Sequence, residues 1–211
     1  MYRERPNLMI GFHGCDESVR DSLVREPGKI KMSQESYDWL GHGFYVWENN
    51  SKRARQWAED KKLKRSNITT PSVVGVVYQL RHCLDLTDSE FIELLPTYHK
   101  LLKQYLAQLG MDLPRNKDIA RSTVQDLLIR ELDCAVIEYL HQSIENEIAS
   151  DKEKKGCSEL AHFDTVRGLF TEGGPAFDGA GIQKKNHIQV CIRNPNCIKA
   201  FFIPRSSVVF P

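Results

Sequence analysis

The residues that could act together chemically lie near the two ends of the chain. His13-Gly14 closes an apolar run that starts at Leu8, and Tyr45 follows about thirty residues later within Gly41-His42-Gly43-Phe44-Tyr45-Val46-Trp47. A histidine at a strand end and a tyrosine inside the next strand suit the holding of a flat, polar-edged ring. Gly14 would let such a ring approach the backbone, because glycine has no side chain to block it. Towards the other end, His187-Ile188-Gln189-Val190-Cys191-Ile192 alternates, which puts His187, Gln189 and Cys191 on one face of a strand. The segment before it, 171–186, holds four glycines (Gly173, Gly174, Gly179, Gly181) together with Glu172, Phe177 and Asp178. The glycines permit hinge motion, the carboxylates can stabilise positive charge or take a proton, and Phe177 is the loop's exposed aromatic.

The elements that must hold these groups can be sketched from the pattern. Asp16 caps a short helix through Arg20 and Leu23 that ends at Glu26-Pro27-Gly28, and 29–40 has no clean period. That segment is expected to be a loop anchored by Tyr37 and Trp39. From Ser51 the pattern is helical, with Asn49 or Asn50 as cap and Ala54, Trp57 and Ala58 on one face. The other face is basic (Lys52, Arg53, Arg55, Lys61, Lys62, Lys64, Arg65), either a patch for phosphates or a solvated surface. Residues 73–80 form a β-branched strand. The stretch 88–148 reads as helical, with a helix from Pro96 to Leu109, a break at Gly110 and Pro114, and a longer helix in which Asp133 is placed to interrupt. Ser150 to Gly156 is expected to be a charged loop, 163–170 a short strand, and 198–203 the closing strand of a hairpin after the turn Asn194-Pro195-Asn196.

Composition sets the bounds. With 211 residues, 41% of them hydrophobic and 27% charged, the chain has the size and core of one domain. A formal net charge of +1 gives no global attraction to nucleic acid or membrane, so such a partner needs a local patch. The six cysteines have no Cys-x-x-Cys pair and no zinc spacing; Cys157 and His162, the nearest candidates, cannot make a site alone. Met1-Tyr2-Arg3-Glu4-Arg5 leads straight into a strand, so free buried thiols in a reducing cytoplasm are expected. No run approaches the ~20 apolar residues of a membrane span.

The order of these motifs resembles the ADP-ribosyltransferase fold of the diphtheria-toxin and poly-ADP-ribose-polymerase type. Within it the likeness is greatest to the small bacterial branch, with His-Gly near the start, Gly-x-Gly-Phe-Tyr in the middle and a Gln-bearing late strand. The resemblance covers about half of the chain and leaves out the helical block. It implies a single α+β domain over 1–211, with split β-sheets and a helical insertion at about 88–148. It also implies NAD as substrate, with His13 on the adenosine-side ribose, Gly14 on the carboxamide, Tyr45 against the nicotinamide face and His187 beside them. By the same resemblance the 29–40 loop would cover the cleft, and the 171–186 loop, with Phe177, would face the acceptor and read it. Gln189 would lie under the ribose, where many members carry glutamate. An amide can bond a hydroxyl but supplies no negative charge, so polymer formation is disfavoured and Glu172 or Asp178 becomes the candidate carboxylate.

The activity implied is mono-ADP-ribosyl transfer, a glycosyltransferase reaction, to a nucleic acid or protein. The implied setting is a bacterial toxin, effector or anti-phage factor with an antitoxin or regulatory partner. Two alternatives stay open. One is a module that binds NAD or a related nucleotide without turnover. The other is an RNA 2′-phosphotransferase-like enzyme, for which Arg167 and Arg193 are the candidate cleft arginines.

Overall fold

A computed structural model describes residues 4–64, 67–118 and 126–205. In chain order its elements are β1 (Glu4–Asp16), α1 (Glu17–Arg25), β2 (Phe44–Glu48), α2 (Ser51–Leu63), β3 (Pro71–Asp85), α3 (Ser89–Ile92), α4 (Leu95–Gln108), β4 (Asn116–Lys117), β5 (Ile129–Arg130), α5 (Glu131–Lys155), β6 (Thr165–Phe170), β7 (His187–Ile192) and β8 (Ile198–Phe202). This is a mixed α+β architecture built on one large mixed sheet. Among the described residues no helix is long and apolar enough to cross a membrane.

The sheet runs β1-β2-β7-β6-β3-β8, and β1 also pairs with β3, so five strands close a circuit of pairings. Among the described pairings only β3 and β6 run parallel. Closure leaves two apolar layers. One lies among Phe44, Val46, Val74, Tyr78, Val190 and Ile192. In the other, Ile137 and Leu140 of α5 cover Leu40, Leu84, Val166 and Cys191, so the helical block packs on the sheet as expected. Each such side chain contributes about 1.5–3 kcal/mol by leaving water.

Local signals placed the ends of several elements. The side chain of Asp16 accepts from the Ser18 amide at the start of α1, and that of Asn50 accepts from the Arg53 amide at the start of α2. Other boundaries differ from the sequence expectation. β1 does not stop at His13-Gly14 but continues to Asp16, because its backbone stays paired with β3 as far as Pro71. Asp133 does not break α5; it lies in the first turn, where a carboxylate meets the positive end of the helix dipole, and accepts from the side-chain amide of Asn116. Nor is 150–156 a loop. α5 runs to Lys155 with three lysines in its last turn and ends on Gly156 at φ 77°, a left-handed position that favours glycine. β8 makes no hairpin with β7, whose two edges are filled by β2 and β6, and pairs instead with β3. Of the six cysteines five are buried as expected, while Cys157 is exposed.

Candidate functional site

Direct cross-strand pairs place side chains on a common face. Tyr45 stands opposite Cys191, Trp47 opposite Gln189, and Phe170 opposite His187, so one face of β2, β7 and β6 carries the aromatic and polar groups. This face forms the floor of a cleft of about 720 Å³, within the range of small-molecule sites. Tyr37, Asp38 and Trp39 from the loop before β2 make one wall, in keeping with its expected covering role. Arg53, Trp57 and Lys61 of α2 make another, and Leu128 and Ile129 close a side.

His13, Tyr45, Glu172, His187 and Gln189 all line this cleft. The His13 ring stacks on Phe44 at 4.4 Å, and its Nδ1 lies 2.8 Å from the Tyr45 carbonyl. A carbonyl only accepts, so Nδ1 carries the proton and Nε2 of the neutral ring is an acceptor. His187 is fixed the same way, with Nδ1 donating to the Lys185 carbonyl at 2.7 Å and its ring stacked on Phe170. Burial pushes both imidazoles below their ordinary pKa, which favours the neutral acceptor form.

Gln189 is oriented by Trp39, whose indole N–H donates to its Oε1 at 2.6 Å. An indole nitrogen is a donor only, so the amide NH₂ is the end left for a ligand. Tyr45 has a structural duty besides lining the cleft. Its hydroxyl accepts from the Leu40 amide at 2.9 Å and donates to the Gly41 carbonyl at 2.8 Å, pinning the loop that precedes β2.

Glu172 is buried at 7% exposure, with its Oε1 bonded to both Nε and Nη2 of Arg53, which is equally buried. The His187 Nδ1 is 4.0 Å from the same oxygen. Among the described residues Oε2 takes no hydrogen bond, so a carboxylate oxygen is left uncommitted.

The other sequence candidates fall elsewhere. Gly14 is buried outside the cleft wall, and what its missing side chain admits is α2 rather than a ring: a Cβ there would lie 2.1 Å from the Ala54 carbonyl oxygen. Phe177 and Asp178 are exposed on the 171–186 loop and do not line the cleft. In that loop Gly173, Gly174 and Gly179 take positive φ, which gives the glycines a turn-making role. Arg167 is held by Glu48 and Asp85, and Arg193 by Glu138, and neither lines the cleft. Arg65 lies outside the described residues.

Sequence reasoning missed three groups. Arg53 was counted with the basic surface of α2, yet its spacing with Ala54, Trp57 and Ala58 marks the buried stripe. Trp39 does more than anchor its loop, since it also orients Gln189. The Arg130 guanidinium carbon lies 3.9 Å from the centre of the Phe170 ring and 5.1 Å from that of Trp39, backing the aromatic wall.

No family model, curated protein or solved structure matches this chain. The cleft must therefore be read from its own groups: two imidazole acceptors, an amide donor, a carboxylate with one free oxygen, and flat aromatic walls. That set suits a ligand with hydroxyls, a planar ring and a centre that becomes positive.

The buried histidines give the first expected result. A third histidine, His141 of α5, lies outside the cleft: among the described residues its buried Nε2 has no partner, and burial, with Arg193 adding to it, pushes its pKa down to about 3. The unfolded chain binds protons near pH 6.5 and the fold does not, so stability is complete above that value and declines as pH falls below it. Asp16, held down by hydrogen bonds from Thr70, Ser18 and Thr69, adds its own loss only at more acid pH. Urea midpoints should therefore drop between about pH 7.5 and pH 5, and His141→Leu should shrink the drop. An equal drop in both proteins would show that His141 does not contribute.

Proposed function

We propose that this chain has an ADP-ribosyltransferase-like fold, binds NAD in the cleft and transfers its ADP-ribose to a macromolecular acceptor. The observation that carries the reading is convergence: His13, Tyr45, Glu172, His187 and Gln189, chosen from four separate stretches of sequence, meet in one cleft of about 720 Å³. The circuit of strand pairings that carries its floor, with a helical block packed on the sheet, supports the same reading.

In the reaction the ribose C1′–N bond of NAD breaks and its electron pair stays on the departing nicotinamide. The ribose then carries oxocarbenium-like positive charge until an acceptor nucleophile attacks C1′ and releases its proton. The chain has groups for each part. Tyr45 and Trp47 offer aromatic surface to the nicotinamide, and the Nε2 atoms of His13 and His187 accept from ribose hydroxyls. Gln189 donates its NH₂, and Glu172 Oε2 faces the developing charge. The amide at Gln189 favours the second reading, NAD binding without turnover; the buried carboxylate of Glu172 favours turnover. The 2′-phosphotransferase reading lacks support, since Arg167 and Arg193 are engaged elsewhere.

Calorimetry with NAD tests the assignment. Gln189→Ala removes one donor, so affinity should fall about 2- to 12-fold, the equivalent of ~0.5–1.5 kcal/mol for one hydrogen bond. The assignment is wrong if the wild-type protein shows no NAD binding at millimolar concentration.

A further inference from the structure

The mouth of the cleft carries charge that the transfer chemistry does not use. Lys31, Lys61, Lys64 and Lys185 line it. The acids there each have a partner: Asp38 is buried and accepts from the Glu35 amide, Glu172 is buried against Arg53, and Asp60 stands 4.0 Å from Lys185. Among the described residues Lys31 and Lys64 have no ion-pair partner. Two aromatic rings line the same cleft, with the Lys61 Nζ 5.1 Å from the centre of Trp57 and 5.7 Å from that of Tyr37. Tyr37 is 39% exposed. The formal net charge is only +1, so this is a local concentration of positive charge and not a general property of the surface.

We propose that this mouth binds single-stranded nucleic acid, with the lysines on successive phosphates and a base stacked on Tyr37. Lysines interleaved with aromatic rings fit both parts of a nucleotide chain, since every base has a flat face and every link a charge. A protein acceptor would need an acidic surface to meet these lysines, whereas a nucleotide chain brings the negative charge and the flat faces together. A duplex hides its base faces in the stack and is too broad a rod for a cleft of this size, so the strand must be single. That the strand is then the acceptor of ADP-ribose rests on the NAD reading above; that it binds does not.

Anisotropy of a fluorescein-labelled DNA strand of about 12 nucleotides, without NAD, tests the binding. A strand neutralised by four lysines should show a slope of log affinity against log salt of roughly −3, at ~0.7 per phosphate. Affinity should then fall about 50-fold between roughly 50 and 200 mM salt. The variant Lys61→Ala/Lys64→Ala/Lys185→Ala should cut that slope to about −1, and Tyr37→Ala should weaken binding by about tenfold, as the loss of one stacked base would. Undetectable binding at low salt, an unchanged slope in the triple variant, or displacement by polyglutamate at equal charge as readily as by unlabelled DNA would overturn the proposal. Calorimetry of NAD with the wild-type protein keeps the two readings apart: NAD binding without strand binding sinks this inference alone, and strand binding without NAD binding sinks the NAD reading alone.

Discussion

Arg53→Ala should destabilise the fold by about 3–5 kcal/mol, as breaking one side of a buried ion pair does. The substitution leaves the carboxylate of Glu172 at 7% exposure without its hydrogen-bonding cation, the His187 Nδ1 being 4.0 Å away. It also removes a side chain from the α2 wall of the cleft. The cost arises from the stranded charge more than from lost attraction, because taking both ions from water already offsets most of what their pairing gains. Arg53→Met/Glu172→Leu should therefore recover most of the loss, although it deletes both partners. Urea unfolding of the wild type, the single variant and the double variant measures this. A single-variant loss under about 1 kcal/mol, the range of an exposed pair, would mean that the pair is solvated and that Glu172 is not held in a dry site.

How much of this was legible in the sequence depended on the range of the interaction. The cap at Asn50, the strand around Tyr45 and the alternation through Gln189 are local and were readable. The partner of β8 was not. Adjacency in sequence suggested a hairpin with β7, but β7 gives both edges to β2 and β6, and that competition is invisible in any short window. The bond from Trp39 to Gln189 joins positions 150 residues apart and leaves no local trace. Other misses had a usable signal. Ser150 to Gly156 reads as a loop by polarity, yet its late lysines and terminal glycine are a helix C-terminus, and Lys155 reaches Asp151 one turn back. Arg53 was hidden by basic neighbours, although its register with Ala54 and Ala58 pointed inward. Gly14 was identified, but with another reason than the one the structure supplies, which is the approach of the Ala54 carbonyl.

Within the candidate site the least local question is which loop acid serves the reaction, and on it we expect the other large effect. Glu172→Gln should slow nicotinamide release by about 10- to 10³-fold with little change in NAD affinity, whereas Asp178→Asn should match the wild type. Both acids lie in the flexible-looking 171–186 segment, and chain distance alone does not separate them. Burial does: Glu172 lines the cleft with Gln189 and His187, while Asp178 is exposed on the loop outside it. In a water-poor cleft a full negative charge stabilises an oxocarbenium-like ribose more than an amide dipole can. Arg53 does not cancel this role, since it holds Oε1 and leaves Oε2 uncommitted. Glutamine keeps the shape and can still accept from Arg53, so the substitution removes the charge while retaining the geometry. Single-turnover release of nicotinamide, with water as the default acceptor, measures the effect, and NAD calorimetry checks that binding persists. If Glu172→Gln turns over at the wild-type rate, catalysis rests on positioning by His13, Tyr45 and Gln189; if Asp178→Asn is the slow variant, the loop must fold over the cleft during the reaction and bring Asp178 to the ribose.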